Sequence, residues 1–122
     1  MHTLIPALAI KDGRPWAVFG SMGGDGQPQL HTQVLINLVD HGLDPQEAVA
    51  RPRFRIRAGG QTVGVEATYP GAAELARKDA SVQLLPQAHH TLGHAHAIVL
   101  DNHAVWRAGA DPRSDGSVET VR

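Results

Sequence analysis

Four glycines fall within seven residues in the run Gly20-Ser21-Met22-Gly23-Gly24-Asp25-Gly26, which continues into Gln27-Pro28. So dense a cluster commits the backbone itself to a task, because glycine reaches left-handed conformations and close approaches that a Cβ forbids. Before it runs the apolar stretch Pro15 to Phe19. After it comes a helical pattern, with Leu30, Val34, Leu35, Leu38 and Val39 at the helical period. A glycine loop that feeds a helix N-terminus lets backbone N–H groups converge, and the helix dipole adds partial positive charge. Such a loop can bind an anion or a developing oxyanion, or it can be a tight strand-to-helix turn. It is not a Walker A loop, since no Lys-Ser or Lys-Thr follows, and it is not a clean Gly-x-Gly-x-x-Gly.

The surrounding chain reads as a mixture of short strands and helices. Asp12-Gly13 is a hairpin turn signal between strands expected over 5–11 and 15–20. Both faces of this hairpin are apolar, which predicts burial inside a larger sheet. Gly42 stands where the first helix should be capped. Asp44 as N-cap, Pro45 as first helical residue and Glu47 as third predict a second helix that Pro52 stops. Further strands are expected over 63–68, 82–85, 95–100 and 104–107, the last two as a hairpin around Asp101-Asn102, with a helix over 70–78. The fold class is therefore α+β.

Composition closes off several functions. Eleven Lys and Arg against twelve Asp and Glu give a net charge of −1, so no global field draws in a nucleic-acid backbone. Five aromatic residues are too few for a base-stacking platform. Cysteine is absent, which excludes disulfides, thiolate metal sites and a Cys nucleophile. No apolar run approaches the length of a membrane span. The opening residues lack a basic n-region and an apolar core, so no signal peptide is expected there, and the cytoplasm is the favoured compartment.

Two other clusters carry possible chemistry. His89, His90, His94, His96 and His103 lie within fifteen positions, and His94 and His96 would share one face of a strand, as a pair of metal ligands can. No acidic residue completes a regular set, and no metal is expected. Arg51, Arg53, Arg55 and Arg57 alternate with Pro52, Phe54 and Ile56, which predicts guanidinium groups along one side of an extended, half-exposed segment. Nucleophiles are scarce: there is no Gly-x-Ser-x-Gly, and Ser21 has no evident base.

The run from Gly20 to Gln29 resembles the γ-glutamyltransferase (γ-glutamyltranspeptidase) family. Met1-His2-Thr3-Leu4-Ile5-Pro6-Ala7, Asp40 to Ala48, Pro52-Arg53-Phe54, Gly93-His94-Ala95-His96-Ala97-Ile98 and Gly109-Ala110-Asp111-Pro112-Arg113 agree with it in order and spacing. Nearly the whole chain takes part, and the match is to the C-terminal part of the family's small subunit, spanning 1–122. The resemblance implies an N-terminal-nucleophile hydrolase, a four-layer αββα sandwich with antiparallel sheets inside and helices outside. In that family a precursor cleaves itself in front of a Thr, which then carries a γ-glutamyl or related acyl group to water or an amine. Gly23 and Gly24 match the paired glycines whose amides form the oxyanion hole. His2 and Thr3 fall where many members carry two serines that help hold the γ-glutamyl carboxylate; Thr3 keeps a hydroxyl and His2 does not. No cofactor is implied.

None of the six threonines sits in a Thr-Thr autoprocessing pattern. The resemblance therefore places the nucleophile, and the arginine that grips the substrate, in segments other than these. A piece of a four-layer sandwich should expose apolar faces and open strand edges. The expectation is a fragment that is inactive alone and is completed by the missing segments, or a non-catalytic remnant that self-associates or binds a small anion.

Overall fold

The computed structural model describes residues 4–120. Seven strands and three helices follow one another as β1 (Ala7–Lys11), β2 (Arg14–Met22), α1 (Gln27–Val39), α2 (Pro45–Ala50), β3 (Phe54–Ile56), β4 (Val63–Glu66), α3 (Ala72–Lys78), β5 (Val82–Leu85), β6 (His94–Leu100) and β7 (Trp106–Ala110). The chain forms an antiparallel sheet in the order β1-β2-β6-β7 and a smaller sheet in the order β3-β4-β5. The second sheet is mixed: β4 runs parallel to β5, with α3 as the crossover.

Register explains why the large sheet has one covered and one open face. Phe19 pairs with Ala7 and Ala97, and Ala97 pairs with Gly109. This row points at α1 and α2, where Val34, Leu38, Ala48 and Val49 complete the core with Ala17, Ala95 and Val99. Small residues along it let the helices approach closely. At Gly109 a Cβ would stand 2.4 Å from the Pro45 carbonyl oxygen, so the start of α2 rests directly on the backbone of β7. One position along, Leu8, Val18, Ile98 and Ala108 form a row that points the other way. Leu8, Val18 and Ile98 are exposed there, as are Ile10, Met22 and Trp106. The hairpin β1–β2 is thus apolar on both faces, as its sequence requires, but buried on one. On the other, residues 5–6 pass over Gly20 and Gly116 lies over His96, but Leu8, Val18 and Ile98 stay exposed, because α1 and α2 both take the opposite side.

The local signals act as their chemistry predicts. Asp12 and Gly13 both adopt positive φ at the hairpin turn. The Asp44 carboxylate accepts the Glu47 amide at 2.9 Å and caps α2. Sheet edges are partly closed by glutamine side chains from the helices. Gln33 gives and takes a hydrogen bond with the backbone of Phe54, Gln29 does the same at Ile56, and Gln46 at Ala110.

Candidate functional site

The glycine loop leaves the end of β2 and enters α1 through a single 3-10 turn at Gly24–Gly26. Gly24 has φ +56°, a conformation that disfavours any side chain, with open space where its Cβ would be. Gly23 packs over Leu30, whose Cδ1 would lie 2.8 Å from a Cβ there. From the other side comes Gly93, where a Cβ would meet the Met22 carbonyl oxygen at 2.4 Å. Leu30, fully buried, is the floor on which both glycines rest. Within the loop the Gly23 carbonyl accepts the Gly26 amide at 3.0 Å and the Gly24 carbonyl accepts the Gln27 amide. The Gly23 and Gly24 amides have no acceptor among the described residues, and Gly24 is exposed.

Two neighbours stabilise the loop's base. The Ser21 amide donates to His31 Nε2 at 3.0 Å, which requires a neutral ring with its proton on Nδ1. Burial holds the His31 pKa below its ordinary value by disfavouring the cation. Behind Gly93 lies a buried ionic network that joins the Pro52-Arg53-Phe54 and Asp111-Pro112-Arg113 motifs. Arg53 pairs with Asp111 at 2.7 Å, Asp111 with Arg113 at 2.9 Å, and Arg113 with Glu66. All four side chains are at most 1% exposed. Arg53 donates onward to the Leu92 carbonyl at 3.2 Å and Asp111 accepts the Ala95 amide at 2.7 Å, so the network grips both sides of Gly93. Burial alone would raise the Asp111 pKa. Arg53, the Ala95 and Arg113 amides and the Arg113 guanidinium outweigh it and hold the carboxyl below its ordinary value.

The arginine alternation needs correction. The four residues do not line one side: Arg53 is a core residue at 1% exposure, Arg51 and Arg57 are exposed, and Arg55 turns to the glycine loop. The reason is that β3 spans only Phe54–Ile56, so the strand period does not extend to Arg51 or Arg57, while the carboxylate of Asp111 draws Arg53 inward. His94 and His96 do share a face of β6, the one turned away from α1 and α2, where Gly116 lies against the His96 ring. His89 and His90 stack on each other at 4.7 Å. No group of three or more His, Asp or Glu among the described residues is arranged to hold a metal ion. His2 and Thr3 lie outside the described residues. The sequence reading missed the joint role of Arg53, Glu66, Asp111 and Arg113. The available signal was an acidic residue, Glu66, closing an otherwise apolar strand.

An antiparallel sheet with helices on one face, an apolar second face and a strand-to-helix glycine loop is the construction of an N-terminal-nucleophile hydrolase sandwich, and the structural neighbours are of that class. The chain belongs to the gamma-glutamyltranspeptidase family, whose profile matches residues 1–121. It is 36% identical to the glutathione hydrolase-like YwrD proenzyme of Bacillus subtilis over 95% of this chain and 23% of that protein. It is 37% identical to the oxamate amidohydrolase proenzyme of Klebsiella pneumoniae, again over 95% of this chain and 23% of that protein. Among solved structures, cephalosporin acylase from Bacillus halodurans superposes with a TM-score of 0.83 at 36% identity, over 96% of this chain and 22% of that one. The gamma-glutamyltranspeptidase of Pseudomonas nitroreducens gives 0.79 at 27% identity, over the whole of this chain and 64% of that one. The chain thus spans under a quarter of the length of the curated relatives it matches.

Proposed function

We propose that these 122 residues are the C-terminal part of a small-subunit domain and supply the oxyanion hole of an acyl-transferring hydrolase. The acyl group, γ-glutamyl or related, passes to water or an amine through an N-terminal Thr carried by another segment. As the Thr hydroxyl attacks, the acyl carbonyl oxygen becomes negative, and the Gly23 and Gly24 amides donate to it. The observation that carries this reading is the pair of amides with no acceptor among the described residues, on the half-buried Gly23 and the exposed Gly24, held at a strand end over a fully buried Leu30. His2 and Thr3 would hold the distal end of the acyl group. Relatives named for glutathione, oxamate and cephalosporin leave the identity of that group open.

The test is Gly24→Val in the complete enzyme. A side chain at φ +56° strains the loop and turns the amide away, while the open space around Gly24 spares the fold. Loss of one such donor lowers kcat by about 100–1,000-fold. His94→Gln should change kcat little. A well-folded Gly24→Val enzyme with kcat within a few-fold of wild type refutes the assignment. The 122-residue chain alone should not turn over a γ-glutamyl anilide, and turnover abolished by Thr3→Ala would overturn that expectation. The uncovered row Leu8, Val18 and Ile98 favours a second reading, a non-catalytic chain that associates with itself through this face. Light scattering showing a stable monomer at micromolar concentration sinks it.

A further inference from the structure

Arg55 lies over the glycine loop without belonging to the motif that forms it. Its Nη2 pairs with Asp25, the residue directly after Gly24. Its Nη1 donates to the Thr91 carbonyl at 3.1 Å, in the segment that leads to Gly93. The stem between these contacts crosses Gly26 so closely that a Cβ there would stand 2.6 Å from Arg55 Nε and 2.8 Å from Cδ. Gly26 has an ordinary φ of −78°, so its own conformation does not demand glycine. The passage of Arg55 accounts for it instead.

We infer that Arg55, acting through Asp25, is the positioning residue that fixes the Gly23–Gly24 amides, an inference that rests on the oxyanion reading above. Glycine has no conformational preference strong enough to fix a peptide plane by itself. The loop is tethered on one side by the Gly26 amide to the Gly23 carbonyl. On the other side Asp25 supplies the only charged side chain of the run 20–28. Arg55 fastens that side chain to the Thr91 segment, so both walls of the loop are set by one guanidinium. The pair also settles a charge problem. A free carboxylate one residue from Gly24 would oppose the negative charge that develops on the substrate oxygen. With Arg55 in place the Asp25–Arg55 pair is neutral.

The experiment has two arms. In the complete enzyme, Arg55→Gln should lower kcat by about 10- to 100-fold with KM within about threefold, because a misplacement of about 1 Å costs up to about 100-fold. Adding Asp25→Asn to Arg55→Gln should restore part of the lost kcat, since the uncompensated carboxylate is removed. Gly26→Ala, which displaces only the far end of a flexible side chain, should reproduce the Arg55→Gln loss, and combining the two should add nothing. In the 122-residue chain, 15N relaxation should show the Gly24 amide leaving the rigid range, order parameter about 0.85, for values near 0.6 in Arg55→Gln. Wild-type kcat in Arg55→Gln and Gly26→Ala, where Gly24→Val abolishes activity, overturns the positioning role and leaves the oxyanion reading standing. Unchanged kcat in Gly24→Val removes the oxyanion reading itself, while the relaxation arm still decides whether Arg55 orders the loop. A kcat loss in Arg55→Gln that tracks a fall in melting temperature and is not relieved by Asp25→Asn marks a merely structural residue and also overturns the inference.

Discussion

Replacing Glu66 by alanine should remove a large part of this protein's stability. The Glu66 carboxylate accepts four hydrogen bonds: from the Arg53 amide at 2.8 Å, the His89 amide at 3.0 Å, Arg113 Nε at 3.0 Å and Arg113 Nη2. It is fully buried. Truncation leaves Arg113 Nε and two backbone amides without an acceptor and the buried network with one positive charge in excess, although Arg113 keeps Asp111 at 2.9 Å. Breaking a buried pair by removing one partner costs about 3–5 kcal/mol, against a net stability of about 5–15 kcal/mol for a domain. With a urea m-value of about 2 kcal/mol/M, the unfolding midpoint should fall by about 1.5–2.5 M. Glu74→Ala is the control. It removes the same charge from an exposed pair with Lys78, 2.6 Å long and four residues apart on α3. Such a pair contributes about 0.3–0.5 kcal/mol, so its midpoint should move by about 0.2 M. If the two midpoints shift equally, water reaches the network and the reasoning from burial is wrong.

Gly109→Ala should destabilise the protein by at least about 1–3 kcal/mol, because its Cβ meets the Pro45 carbonyl carbon and oxygen, which are backbone and cannot swing aside; a melting temperature equal to wild type would contradict this. His31 should titrate by NMR with a midpoint below its ordinary 6.5. Since the folded value is depressed, the contribution of neutral His31 is complete above pH 6.5 and is lost as pH falls toward the folded pKa. His31→Gln should flatten that part of the stability profile.

Local chemistry made the elements legible, and the distances between partners hid the rest. The start of α2 follows from Asp44, Pro45 and Glu47 because a cap is a contact across three residues. The β1–β2 turn follows from Asp12-Gly13 for the same reason. The parallel pairing of β4 with β5 follows from the strand-helix-strand order over 63–85, because parallel neighbours need such a crossover, here α3. The glycine loop was visible as a site because four glycines in seven residues have few other uses. Its support was not. Glu66 and Arg113 stand 47 residues apart, and Arg55 and Asp25 are 30 apart. Alternation suggested that Arg53 and Arg55 were equivalent. The structure gives one to the core and one to the loop, because a carboxylate waits for each.

The three glutamine amides at Phe54, Ile56 and Ala110 act as one-residue strands that cannot be extended. An unpaired β edge is a template, and each chain that docks on it presents the next edge. Here the outer edges of β3 and β7 end on side chains that carry no further backbone, and β1 is only five residues long and finishes in Lys11. The apolar row of the large sheet offers no such continuation, since a face that meets a second face leaves nothing for a third. A contact made through that face would therefore end with two molecules, whereas one made through a strand edge left bare, such as that of β5, would not.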